Sequence, residues 1–309
     1  MKRLAVVLVI AACPVVVAGG TARPAEAACM PAPYSRCPGA DLAGAKLAGR
    51  SMTSIDLSGA SLVAADLRGA DLSDANLWLA DLSGADMSWA NLNRCDLSRA
   101  TLIRTNLTRA NLSGANLYEA LGSRAVLTAA SLVRADLTRA DLSKAELTEA
   151  DLTEANLTRT NVSWATLAGA NLNSCNASRA DFSKADLSGI NGVGANFVIA
   201  NFFEANLTRA RIKGAKLIRA DLNRANLTAA DLSGVDLTGA DLSGARLLNT
   251  DLTGATLNGT DLSNADVTGA KLDRPALAQA KTAGTDLSKA KVSPGPQAEG
   301  QRPSVLDIR

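Results

Sequence analysis

Apolar and polar positions alternate along this chain in a unit of five residues. Ala70-Asp71-Leu72-Ser73-Asp74 is a clear copy, and it runs on through Ala75-Asn76-Leu77, Ala80-Asp81-Leu82 and Ala85-Asp86-Met87. The central position falls on every residue number ending in 2 or 7. From Leu42 to Val292 that makes about 51 consecutive copies without an insertion, a fixed period of the kind that marks a solenoid. Within a copy, Ala, Asp/Asn and Leu read apolar, polar, apolar, the period of a short strand with one buried face. The next two residues are mostly Ser or Thr followed by Gly, Arg, Lys or Glu, and these suit a turn. A helix does not fit. Apolar residues two and three apart, repeating every five, smear around a 3.6-residue turn. Each copy is therefore a very short strand and a corner. One unit alone cannot bury its Leu, but stacked coils bury a continuous column of them.

Those residues resemble the pentapeptide-repeat family over residues 40–294, with Leu at roughly 38 of the 51 central positions. The resemblance implies an all-β, right-handed quadrilateral β-helix with four phrases per coil. The central residue and the Ala two before it point inward. At strand spacing, nearly 13 coils give a rod on the order of 60 Å long.

Composition agrees with a narrow interior: 47% of residues are hydrophobic but only 3% aromatic. The chain carries 32 basic and 30 acidic residues. Met1-Lys2-Arg3, the apolar run Leu4 to Ala18 and the small-x-small site Ala25-Glu26-Ala27 read as a secretory signal peptide over 1–27. Its removal takes three basic residues and one acidic residue, leaving net zero and no long-range steering toward nucleic acid or another polyion. The expected location is secreted or extracellular. Ile10-Ala11-Ala12-Cys13 also resembles a lipoprotein box, which gives the alternative of a cell-surface lipoprotein anchored through Cys13. Residues 28–39 form an N-terminal cap loop. It holds Cys29 and Cys37, and an oxidising compartment favours a disulfide between them over two free thiols. Residues 295–309 read as a disordered tail. No helix that could build a dimer is evident near the C-terminus.

Cys95 and Cys175 occupy inward Ala positions four coils apart and read as small buried residues. Gly122, Ala177 and Gly192 stand where Leu is expected, near Phe182, Phe197 and Phe202. Large and small residues that face or flank each other conserve interior volume. A ligand cavity at Gly192 is the competing reading.

Folding the sequence by twenty aligns two adjacent basic columns. One is Arg99, Arg139, Arg159, Arg179 and Arg219, interrupted by Glu119. The other is Arg104, Arg124, Lys144, Lys184 and Arg224, interrupted by Trp164. They form a candidate anion-binding surface for phosphate-rich polymers or lipid head groups. The plainer expectation is a solvated surface whose arginines pair with neighbouring carboxylates such as Asp96 and Asp136. Asp221, Asp241 and Asp261 also stack. Carboxylates beside a corner are expected to bond the local backbone, and the glycine-rich calcium nonapeptide is missing. Trp78, Trp89, Trp164 and Tyr118 are expected on outward corners.

The chain has no histidine, no Gly-rich phosphate loop, no cysteine metal spacing and no singular Ser or Thr, so it offers no catalytic constellation, cofactor site or metal site. The reading is a non-enzymatic secreted scaffold or protein-interaction surface at or outside the cell envelope, whose partner is an unknown protein or an envelope polymer. The first alternative is a polyanion- or lipid-binding surface protein. A third reading is the family branch that mimics DNA and binds gyrase. Zero net charge and basic columns oppose it.

Overall fold

The computed structural model describes residues 29–294. The signal-peptide segment, Cys13 and the tail lie outside the described residues. The chain winds as a right-handed, four-sided β-helix. Each rung is a single parallel bridge to the residue twenty positions on, from Arg36↔Asp56 to Asp261↔Lys281. The final coil closes as two short paired strands, β1 (Lys271–Asp273) and β2 (Lys291–Ser293).

The five-residue phrase explains itself once its N–H groups are followed. In Leu57 to Ala60, the Leu57 and Gly59 N–H groups donate to the next coil, to Asn76 O at 2.8 Å and Trp78 O at 2.7 Å. Ala60 N–H closes the turn onto Leu57 O at 3.0 Å, and Asp56 N–H donates back to Ser35 O at 2.9 Å. That leaves the N–H of the first corner residue. The Asp or Asn two positions earlier takes it, as in Ser58 N–H to Asp56 Oδ1 (3.2 Å), Ser73 N–H to Asp71 Oδ1 (3.1 Å) and Ser83 N–H to Asp81 Oδ1 (2.9 Å). The second corner residue has positive φ, as a type II turn requires. Gly59 sits there at +64°, but so do Arg99 at +57° and Trp164 at +60°. Corners built on L-residues in this region are held by the stacking of neighbouring coils.

Inside, Ala and the central residue are buried along the rod from Ala45 to Leu272, with half-buried Arg50 as an interruption near the first coils. Each buried Leu contributes roughly 2 kcal/mol of transfer free energy. Thr105, Thr160, Thr250 and Thr260 replace inward Ala. Each hydroxyl donates to a central-position carbonyl of the preceding coil, as Thr160 Oγ1 does to Leu137 O at 2.7 Å. Phe182 and Phe202 stack with centroids 4.9 Å apart, and Phe197 meets both edge-on at 5.9 and 5.3 Å. A Cβ on Gly192 would meet Phe197 at 3.5 Å and Ile212 Cγ2 at 3.2 Å. Neighbouring side chains take the space, so Gly192 lines no cavity. Leu142 crowds Gly122 in the same way, at 2.7 Å from a built Cβ. Cys95 and Cys175 are buried free thiols. Burial pushes the Cys175 thiol up to about 12, and Cys95 moves the same way.

The ends depart from the phrase. Cys37 sits in register with the central positions, is buried, and bonds Cys29 with Cα atoms 5.5 Å apart. The bridge lies over the open end of the column that Leu57 and Leu77 continue. At the other end a four-residue helix, α1 (Arg274–Leu277), replaces a corner, with Pro275 in its first turn and Leu277 half-buried against the core. The chain turns away there, so Gly254 N–H finds the carboxylate of buried Asp273 at 2.7 Å instead of a backbone carbonyl. Among the described residues no helix is long and apolar enough to cross a membrane.

Candidate functional site: a cationic wall

The two basic columns stand on the corners that flank one wall of the rod. The wall's central bridging residues are Thr101, Leu121, Asp141, Asn161, Asp181, Asn201 and Asp221. Seven rungs, from Ser98–Arg104 to Ile218–Arg224, hold ten basic and five acidic residues, a net of +5 on described residues whose charges sum to zero. The same wall and its corners carry Trp78, Leu79, Ile103, Leu121, Trp164 and Ile199, six of the ten exposed large hydrophobic side chains among the described residues. The tryptophans and Tyr118 therefore concentrate more than their scatter in sequence implies. Trp89 lies on another corner, under the Arg109 guanidinium at 4.7 Å.

The expected pairing of these arginines with Asp96 and Asp136 does not occur. Asp96 Oδ1 accepts from Ser98 N–H, Ser98 Oγ and Asn116 Nδ2, and Asp136 Oδ1 from Thr138 N–H, Thr138 Oγ1 and Asn156 Nδ2. Asp66 and Asp251 elsewhere on the rod also pair with Arg68 and Lys271, whereas these two carboxylates serve their own turn and the rung above. On the wall itself Asp141 and Asp181 are engaged in the same way. Asp221, Asp241 and Asp261 likewise accept from the N–H groups of Asn223, Ser243 and Ser263, and no metal-holding cluster occurs among the described residues.

Only corner glutamates neutralise the columns. Glu119 bridges Arg99 (3.0 Å) and Arg139 (3.1 Å). A hydrogen bond from Tyr118, then those from Arg139 and Arg99, hold its carboxyl below the ordinary 4.5. Glu204 lies between Lys184 (3.8 Å) and Arg224 (3.5 Å). Lys184 also stands over the Trp164 ring at 4.7 Å. Among the described residues Arg104, Arg124, Lys144, Arg159, Arg179 and Arg219 have no acidic side chain within ion-pair distance. The sequence aligns the columns but does not reveal which cations lack a partner. That is seen only in the structure, where the wall's aspartates accept from their own turns and from the next rung without meeting these side chains.

Beside one column the surface dips into an open furrow of about 490 Å³. Tyr118, Thr138, Thr158 and Ser178 line one side, and Arg139, Arg159 and Arg179 the other. A Thr or Ser and an Arg thus run in parallel, one of each per coil over three coils, with the Thr138 and Thr158 hydroxyls donating to Asp136 and Asn156. Arg139 Nη1 donates to Tyr118 Oη at 3.2 Å, which fixes one end.

Comparison with known proteins places this architecture. A family model described as pentapeptide repeats matches in eight copies, over 40–78, 80–117, 123–159, 155–191, 205–244 and 236–274. The crystal structure of HetL, a pentapeptide repeat protein involved in heterocyst differentiation regulation in the cyanobacterium Nostoc sp. strain PCC 7120, is 36% identical. It covers 65% of this chain and 88% of its own, with a TM-score of 0.50. A pentapeptide repeat protein of the Arabidopsis thaliana thylakoid lumen is 35% identical over 30% of this chain and 66% of its own, with a TM-score of 0.30. QnrB1, a plasmid-mediated fluoroquinolone resistance protein, is 19% identical over 62% of this chain and 89% of its own, with a TM-score of 0.30. No curated protein matches. With the family model matching most of its length and the bridge pattern repeating every twenty residues, this chain belongs to the pentapeptide-repeat family.

Proposed function

We propose that the protein is a non-catalytic, exported rod that works as a scaffold or interaction surface at or outside the cell envelope, and that the cationic wall is the surface it presents. The observation that carries this reading is the filled interior. Side chains pack the tube from Leu42 to Leu272, so any ligand meets the outside. The Cys29–Cys37 bridge supports an oxidising compartment, as the leader-like segment 1–27 does. The +5 wall opposes the DNA-mimicking reading, which needs an acidic face.

The test combines fractionation of the native host with capture from envelope material. The expected product is extracytoplasmic and shortened near Ala27. Capture is expected to be weaker for the variant with Arg139, Arg159 and Arg179 changed to Glu. A cytosolic, full-length product overturns export, and equal capture by the variant overturns the assignment of the wall.

A further inference from the structure

The furrow along Arg139, Arg159 and Arg179 has a definite length, a regular chemistry and an unsatisfied charge at Arg159 and Arg179, Arg139 being paired with Glu119. Resting on the reading of the wall as the presented surface, we infer that it binds a linear anionic glycopolymer, a sugar or polyol chain carrying carboxylate or phosphate groups, laid parallel to the rod axis.

Three observations converge. First, stacked like charges repel, and adjacent coils are only about 4.8 Å apart. Arg159 and Arg179 are such neighbours, both exposed, and no carboxylate relieves them. On this wall the phrase carboxylates Asp141 and Asp181 accept from Ser143 N–H and Ser183 N–H and pair with neither arginine. A ligand oxyanion supplies what the protein withholds, and the guanidinium fork suits carboxylate and phosphate alike. Second, Thr138 and Thr158 spend their hydroxyls within the rungs, donating to Asp136 and Asn156 and accepting from Asn156 and Asn176, so beside the arginines the furrow offers mainly apolar surface. The C–H faces of sugar rings suit that lining while their oxyanions meet the guanidiniums. Third, the site is bounded. Tyr118 and Glu119 close one end, and Val198 and exposed Ile199 replace the Thr/Arg pair at the other. A three-coil ladder reads a short run of a repeating polymer, where a single small anion engages one rung.

The experiment titrates the whole protein with oligogalacturonates and with glycerol-phosphate oligomers of increasing length, followed by calorimetry. Single-stranded DNA and vesicles of phosphatidylserine in phosphatidylcholine serve as comparison arms. Affinity is expected to rise with oligomer length and level off once three coils are spanned. Arg159→Gln or Arg179→Gln is expected to weaken binding about tenfold, Arg159→Lys less than Arg159→Gln, and Lys213→Gln with Lys216→Gln, on other faces, to leave it unchanged. Binding that ignores oligomer length, or that falls as much in the Lys213/Lys216 variant, overturns the proposal. So does arginine-dependent binding of DNA or vesicles without binding of either oligomer. If both oligomers fail while the wall still captures an envelope protein, the glycopolymer is wrong and the scaffold reading stands. Circular dichroism of each variant separates lost binding from lost fold.

Discussion

At the scale of single residues, the interior trades volume between positions. Gly192 occupies a central site where the phrase calls for Leu, and Phe197 and Ile212 fill what it leaves. Gly192→Leu is therefore expected to lower stability by about 1–3 kcal/mol through overpacking, despite restoring the consensus residue. Phe197→Leu alone is expected to cost about 1 kcal/mol or more by leaving a void. Together the two changes are expected to cost less than the sum of the singles, because each makes room for the other. Thermal melts of the four proteins check this, and strict additivity would show that the two sites do not share space. The trade is legible in the sequence, since Gly and Phe both break a run of Leu within two coils. The satisfied threonines are not. A Thr at an inward position reads as a polar intrusion until Leu137 O is seen to accept from Thr160 Oγ1.

At the scale of the rung, the carboxylate before each central Leu is a backbone cap. Asp56, Asp261 and Asp266 are each held below the ordinary 3.8, led in every case by the hydroxyl two residues on and helped by that residue's N–H. A depressed folded-state value means the unfolded chain takes up the proton first. The stabilisation is therefore present above the ordinary carboxylate range and is lost as pH falls through the folded values. The melting temperature is expected to stay level from about pH 7 to 5 and to fall below about pH 4. A rod whose melting temperature does not move across that range would show that the caps contribute nothing. Asp273 is a different cap at the last coil. Asp273→Ala removes the acceptor of the Gly254 N–H and is expected to cost about 1–2 kcal/mol, whereas Asp273→Asn keeps an acceptor and costs less. Hydrogen exchange at Gly254 reads the difference directly, and equal exchange in both variants would remove the role assigned to the carboxylate. The strand-and-corner unit is readable from the five-residue pattern. The division of labour within it is not, because Asp is equally at home pairing with Arg, binding a cation or capping a turn, and only the geometry of the corner chooses.

At the scale of the whole molecule, each coil touches only its neighbours, so stability is a sum along a line and the ends are the weak members. The open end of a β-helix also presents unpaired backbone groups that invite another chain. The Cys29–Cys37 bridge answers both problems at the N-terminus. Cys37 fills the central position of the first coil, its N–H donates to Asp56 O at 2.7 Å, and the bond ties Cys29 across the column above Leu57. Closing a loop of this size is worth about 2.5 kcal/mol on the chain-entropy account. Replacing both cysteines by alanine is therefore expected to raise amide exchange in the first coil, at position 37 and at Gly39 and Leu42, by about 50-fold, since each 1.4 kcal/mol is a factor of ten. Coils in the middle, such as those of Leu142 and Leu167, are expected to be unchanged, because nothing in their neighbour contacts has altered. The same variant is expected to associate end to end at high concentration, visible by light scattering. An increase spread evenly along the rod would contradict nearest-neighbour coupling, and no increase at all would show that packing alone holds the first coil.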